Sequence, residues 1–308
     1  MKEFNFYFAG TPSNAAGQYC IDRGHNVLKS WFLEQKALEK VISYKKDGKY
    51  SGKIMVDSGA FTAHRSDITI NVDDYIAWLN ENEPYLECYV QLDQIPGKWG
   101  QKRSKEDILF AEKASWENYK YMVSKLKNPY KLLAVFHQDE NFENLKRLLD
   151  FQIDGKPVPY ICISGAKDRA PKDRRDWYHK CFDIIRTSNN PNVKVHCLGC
   201  STYSDLMLFP FYSSDSSTWV QVAAMGSIQD YSTIAVSEQA LKNADNLHRF
   251  KSVLPVLKQR CELFKLNIED LKVSYTHRDI YNCEFMLYWI DKNIKNRQNV
   301  KIRDRRLF

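Results

Sequence analysis

The sequence predicts an α/β fold, a (β/α)8 barrel of the TIM type with a helical, basic C-terminal extension, and three observations carry that expectation. Eight short apolar runs rich in aromatic and β-branched residues recur before residue 226. Most are followed by a longer stretch with an apolar face at helical period. The runs are near-continuously apolar rather than alternating, as parallel strands covered by helices on both faces require. Eight of them in one chain favour closure over an open doubly wound sheet. The open sheet is the alternative, because the seventh run is weak and holds Pro210.

In chain order the expected strands are Phe4 to Ala9 (FNFYFA), Ile54 to Asp57 (IMVD), Glu87 to Asp93 (ECYVQLD) and Leu132 to His137 (LLAVFH). Then come Tyr160 to Ser164 (YICIS), Val193 to Leu198 (VKVHCL), the weak Phe209 to Ser213 (FPFYS) and Val220 to Met225 (VQVAAM). Helical patterns separate them at Val27 to Tyr44, Asp73 to Asn80, Lys105 to Leu126, Asn141 to Phe151 and Asp173 to Thr187, with a short turn at Tyr203 to Met207. From about Ser237 the pattern is helical throughout, ending in the basic DKNIKNRQNVKIRDRRLF. No repeat or low-complexity linker interrupts the chain. The expected organisation is a barrel over residues 1–236 and a helical extension, packed on it, over 237–308.

Composition excludes several classes. The 308 residues carry 45 Lys+Arg against 38 Asp+Glu, a net charge of +7, with 44% hydrophobic and 27% charged residues. That is an ordinary globular balance, neither disordered nor collagen-like. No apolar run is long enough to span a membrane. The opening MKEFNFYFAG lacks the apolar region and cleavage site of a secretory signal, so a cytoplasmic location is expected. The eight cysteines are scattered through apolar runs, which reads as reduced core thiols. The pair Cys197 and Cys200 has no second pair or closely spaced histidines to complete a zinc site.

The βα loops of a parallel barrel all open on the C-terminal ends of the strands, so the residues just past each run are the candidate chemistry. The second run ends in Asp57-Ser-Gly-Ala-Phe61, the third in Asp93-Gln-Ile-Pro-Gly97 and the fourth in His137-Gln138-Asp139. The fifth ends in Ser164-Gly165-Ala166 and the sixth in Leu198-Gly199-Cys200-Ser201, while the seventh leads to Asp215. An aspartate after several buried apolar residues must be hydrogen-bonded, paired or chemically employed. One alone would read as a helix or turn cap. Three aimed at one rim, without a histidine cluster, fit nucleophile and acid/base work at an acetal-like carbon.

Charge is concentrated in the same loops. Lys98, Lys102, Arg103 and Lys105 come after the third run; Lys167, Arg169, Lys172, Arg174 and Arg175 after the fifth; His64 and Arg65 after the second. With Trp99 and Trp177 interleaved, the rim suits phosphates and stacked bases. Asp168, Asp173 and Asp176 dilute the second cluster and leave a self-paired, solvated loop as the other reading.

The order DSGAF, LDQIPG, VFHQ, SGA, LGCST, SSDSS resembles that of the tRNA-guanine transglycosylases, and most closely their shortened relatives of the phage DpdA type, which place 7-deazaguanines into DNA. The resemblance spans roughly residues 54 to 226. It implies that Asp57 is the general acid/base and Phe61 a stacking platform for the exchanged base. It implies that Asp93 reads the base edge, with Gln138, Ser164, Gly165 and Ala166 completing the pocket and Leu198 and Gly199 closing the opposite face. Asp215 would be the nucleophile. The tRNA enzymes also carry a zinc site of three cysteines and a histidine, whereas here Cys261 and Cys283 stand alone, which turns the expectation from tRNA to DNA. The context SSDSSTW likewise departs from the FDCVLPTR of the tRNA enzymes.

The expected function is exchange of guanine in DNA for a 7-deazaguanine such as preQ0, with no metal or redox cofactor and no membrane partner, in the host cytoplasm for a phage-encoded chain. Base exchange needs an N-glycosidic bond broken without release of the sugar to water, which a covalent carboxylate intermediate accomplishes. The same exchange on tRNA is the nearest alternative. A non-catalytic nucleic-acid-binding barrel subunit and a small-molecule barrel lyase or hydrolase are the others. A homodimer or an accessory protein that opens the duplex is compatible with each.

Overall fold

The computed structural model describes residues 4–10, 14–98, 101, 103–166 and 169–294. Among these residues, eight parallel strands close into a barrel: β1 (Asn5–Phe8), β2 (Val27–Ser30), β3 (Ile54–Asp57), β4 (Cys88–Val90), β5 (Leu132–His137), β6 (Tyr160–Ser164), β7 (Lys194–Cys197) and β8 (Ser213–Ser216). The barrel shuts where Tyr7 of β1 lies in register with Asp215 of β8. The helices between and after the strands are α1 (Asn14–Asp22), α2 (Gln35–Lys46), α3 (Ala60–Arg65), α4 (Val72–Asn82), α5 (Lys105–Lys125), α6 (Phe142–Asp150), α7 (Pro171–Thr187), α8 (Tyr203–Leu208) and α9 (Thr218–Ala224). This is the expected TIM-type (β/α)8 barrel.

Alternation along the strands sorts the core into two layers. Tyr7, Leu28, Met55, Cys88, Val90, Leu133, Val135, Tyr160 and Cys162 form one buried cluster inside the barrel. The intervening residues, among them Phe8, Ile54, Val56, Tyr89, Phe136 and Ile161, pack outward against the helices. The helix starts are written locally. Ser104 and Asp107 form a reciprocal capping box at α5, and Asn71 and Asn141 cap α4 and α6.

Three of the expected elements are corrected. Val27 to Ser30 is a strand, not the start of a helix; Trp31 to Glu34 turn the chain before α2 begins at Gln35. The eighth strand is Ser213–Ser216, not Phe209 to Ser213, because Phe209 and Phe211 are spent packing on Tyr178 and Phe182 of α7. Val220 to Met225 falls in helix α9 and its cap instead of forming a strand. The strand SSDS is wholly buried although every side chain is polar. Its hydroxyls are satisfied at home: Ser214 faces the carbonyls of Cys197 and Cys200, and Ser216 accepts from the Thr218 amide.

Beyond α9 a hairpin, β9 (Ser227–Asp230) with β10 (Ser232–Ala235), precedes α10 (Ala244–Phe264), α11 (Ile268–Val273) and α12 (Tyr275–Asn293). Helix α12 packs on α9, α1 and β9. Asn282 ties it down twice, donating to the Trp219 carbonyl and accepting from the Gln229 amide, each at 2.7 Å. Tyr281 donates to buried Asp230 at 2.6 Å. Among the described residues no helix is long and apolar enough to cross a membrane.

Candidate active site at the barrel mouth

The motif DSGAF builds the first part of the site. Strand β3 carries Asp57 to the mouth on the face that holds Met55 inside the barrel. Gly59 then takes a left-handed conformation, φ 85°, and caps α3. A side chain there would meet Phe32 and Ser30 at 2.6 Å, so only glycine makes this turn. Its amide donates to Asp57 Oδ2 at 3.0 Å. Phe61, on the first turn of α3, is left 53% exposed.

The two later aspartates each meet a histidine: His137, which ends the fourth run, and His196, which the sequence does not single out. Asp93 Oδ2 lies 2.8 Å from His137 Nε2. Asp215 Oδ1 lies 3.1 Å from His196 Nε2 and accepts from the Gly199 amide at 2.8 Å. The three aspartates converge electrostatically. The Cys162 thiol inside the barrel is pushed up by burial first, and then by Cys88, Asp215, Asp57 and Asp93. The Asp57 carboxyl is pushed up to about 7, by burial first and then by the charge of Asp93, with Asp215 adding to it and the Gly59 amide opposing. Burial lowers the affinity of His137 for its proton, but the hydrogen bond and charge of Asp93 and the charge of Glu140 carry it above the usual histidine value. Glu140, whose Oε1 accepts from the His137 amide at 3.2 Å, is itself pushed up to about 7 by burial.

Between these pairs, Gln138 organises the turn after β6. Its amide donates to the Ser164 carbonyl at 3.1 Å and its Oε1 accepts from Ala166 N at 2.9 Å. Gly165 lies so close to α7 that a side chain would meet Tyr178 and Arg174 at 2.7 Å. Leu198 packs on the interior cluster beside Gly199. The structure therefore gathers Asp57, Asp93, Gln138, Ser164, Gly165, Ala166, Leu198, Gly199 and Asp215 at one end of the barrel.

The basic rim is less open than its composition suggests. Arg103 and Arg169 both approach Asp139, at 4.0 and 2.9 Å. Lys172 pairs with Asp176, and Arg174 and Arg175 clamp the fully buried Asp205 at 3.2 and 2.6 Å. Arg65 and Lys98 are exposed. Lys102, Lys167, Trp99 and the basic tail from residue 295 lie outside the described residues. Trp177, expected on the rim, is core: it is 6% exposed and stacks on Phe136 at 5.7 Å. A groove of about 610 Å³ opens between α1, α2 and the loop after β2, where Lys29 pairs with Glu34 at 2.9 Å.

All eight cysteines are free and buried, as core thiols. Among the described residues, no group of three or more His, Cys, Asp or Glu side chains is arranged to hold a metal ion.

The fold and site define a parallel barrel with a carboxylate-rich mouth. No family model and no curated protein matches the chain. A solved structure described as "Structural study of Project ID from Aquifex aeolicus VF5" matches with a TM-score of 0.43 at 9% identity, over 72% of this chain and 86% of that one. That likeness is partial and of shape alone, and no role is taken from it.

Proposed function

We propose that the protein is a nucleic-acid guanine transglycosylase that exchanges guanine in DNA for a 7-deazaguanine base. The observation that carries this reading is the meeting of two aspartates in different settings at one mouth. The Asp57 carboxyl is pushed up to about 7 by burial and the charge of Asp93, while Asp215 Oδ1 accepts from the Gly199 amide and lies 3.1 Å from His196 Nε2.

In the proposed reaction an Asp215 oxygen bonds to C1′ as the C1′–N9 bond breaks. The bonding pair goes to N9 of guanine, and Asp57 gives N9 its proton. The incoming base then gives its N9 proton to Asp57, N9 bonds to C1′, and the C1′–O ester bond breaks to restore the Asp215 carboxylate. Asp93 accepts from the edge of the flipped base and exposed Phe61 stacks on it. Exposed Lys98 and Arg65 supply phosphate contacts at the rim.

The test is incubation with radiolabelled guanine and duplex DNA, single-stranded DNA or tRNA. Label is expected in DNA, with a covalent protein–DNA adduct on a denaturing gel, and both are lost in Asp215→Asn. Label in tRNA alone overturns the DNA assignment; label in no polymer overturns base exchange.

A further inference from the structure

We infer that His196 is a positioning residue: a neutral imidazole protonated on Nε2 that holds Asp215 Oδ1 and leaves Oδ2 as the attacking oxygen. The choice of Oδ2 rests on the transglycosylase reading; the state of the imidazole does not.

His196 is fully buried on β7, in register with Ser213 of β8 and Cys162 of β6. Its ring stands edge-on to Tyr7 and Tyr160, with centroids 6.1 and 6.5 Å away. The titratable groups around it are thus Tyr7 from β1, Tyr160 and Cys162 from β6, and Asp215 from β8. His196 Nδ1 lies 2.5 Å from Ser213 Oγ, and the same oxygen meets the Tyr160 hydroxyl.

Hydrogen counting then fixes the directions. Burial raises the Tyr160 phenol far above its ordinary value, so it keeps its proton, and Ser213 Oγ is the one acceptor that faces that proton among the described residues, so Tyr160 donates to Ser213. Ser213 has one hydrogen, which goes to His196 Nδ1. The imidazole proton is therefore on Nε2 and goes to Asp215 Oδ1, which also takes the Gly199 amide. Every hydrogen in the chain has one acceptor. An imidazolium brings one hydrogen too many: Ser213 either accepts twice and strands its own hydrogen, or donates to the Tyr160 oxygen and strands the phenol's, since no further acceptor faces either hydroxyl among the described residues. With Oδ1 held by two donors, Oδ2, which has no partner among the described residues, is the oxygen presented to the mouth. The donors stay on Oδ1 while Oδ2 forms the ester to C1′, so the carboxylate need not reorient between attack and release.

Two measurements on the full chain decide this. Nitrogen-15 NMR of histidine-labelled protein, with the His196 signals assigned by their loss in His196→Gln, should show the neutral Nε2–H tautomer at about pH 7.5. Ser213→Ala should perturb it. An imidazolium, or the Nδ1–H tautomer, in the parent protein overturns the inference whether or not DNA is modified. In the exchange assay, His196→Leu should lower kcat on the order of 100-fold with KM little changed, and His196→Gln, which keeps an N–H near Nε2, should recover at least about tenfold of it. A folded His196→Leu that exchanges at the parental rate overturns the positioning role. A parent protein that modifies no polymer overturns the transglycosylase reading, and with it the role of Oδ2, while the NMR result still decides the imidazole.

Discussion

Two histidine–aspartate pairs stand at the mouth, built from the same residue types in opposite settings. His196 and Asp215 meet with the imidazole 0% exposed, between adjacent barrel strands whose remaining partners are fixed. His137 and Asp93 meet with the imidazole 27% exposed, between a strand end and a loop, and their neighbours Glu140 and Arg103 are themselves charged or titratable. The first pair is enclosed by fixed partners; the second is open to solvent and to whatever binds at the mouth. Burial, not residue identity, sets the two pairs apart.

Unequal losses are the strongest check on that distinction. Asp215→Asn is expected to lower base exchange by about 10³-fold or more and to remove the covalent adduct, because it deletes the proposed nucleophile. Asp93→Asn should lose only about 10- to 100-fold, mostly through weaker base binding, because it alters a proposed recognition contact. Label incorporation at several guanine concentrations separates the two. Equal losses, both in kcat, would erase the difference between the pairs.

Asp57 sharpens the comparison through pH. In the proposed reaction its protonated form serves the departing base, so guanine release should fall as pH rises above about 7, and Asp57→Asn should abolish that limb along with most activity. The stability consequence has the opposite sense. A carboxyl that keeps its proton to about pH 7 when folded, against an ordinary value of 3.8, gives stability that is full below about pH 4 and lost as pH rises through 7. Asp57→Asn should therefore melt higher than the parent at pH 8, with the gain shrinking toward pH 4. A melting-temperature difference independent of pH would refute the assignment of that carboxyl.

Much of this frame is legible in the sequence, and the failures have physical reasons. The runs IMVD, LLAVFH and YICIS are buried on both faces, so their apolar continuity announces them. VLKS escapes because the apolar residues of VLKSWFLEQKALEKVISY recur at helical spacing across the true boundary at Gln35. SSDS escapes because its burial is sustained by serine hydrogen bonds that no hydropathy pattern records. The three aspartates were readable because carboxylates ending apolar strands are conspicuous. His196 was not, since VKVHCL reads as any buried strand; the available signal was alternation, which places His196 on the same face as Leu198, toward the interior. The pairing of Arg174 and Arg175 with Asp205 is also invisible in one dimension, since the partners lie 30 and more residues apart.

That last feature extends the contrast to the rim and sets the smallest effects. Asp205 is wholly buried and held by two guanidinium groups, so Arg175→Ala should destabilise the fold by about 1–3 kcal/mol, read by denaturant melts, because it leaves a buried carboxylate short of donors. Lys98 is exposed and far less constrained. Lys98→Ala should change stability by less than about 0.5 kcal/mol, weaken DNA binding only a few-fold, and lower the slope of log affinity against log salt by roughly 0.7–0.9. If Arg175→Ala instead leaves stability intact and lowers the salt slope as Lys98→Ala does, the clamp on Asp205 is dispensable and the arginines belong to the proposed nucleic-acid surface.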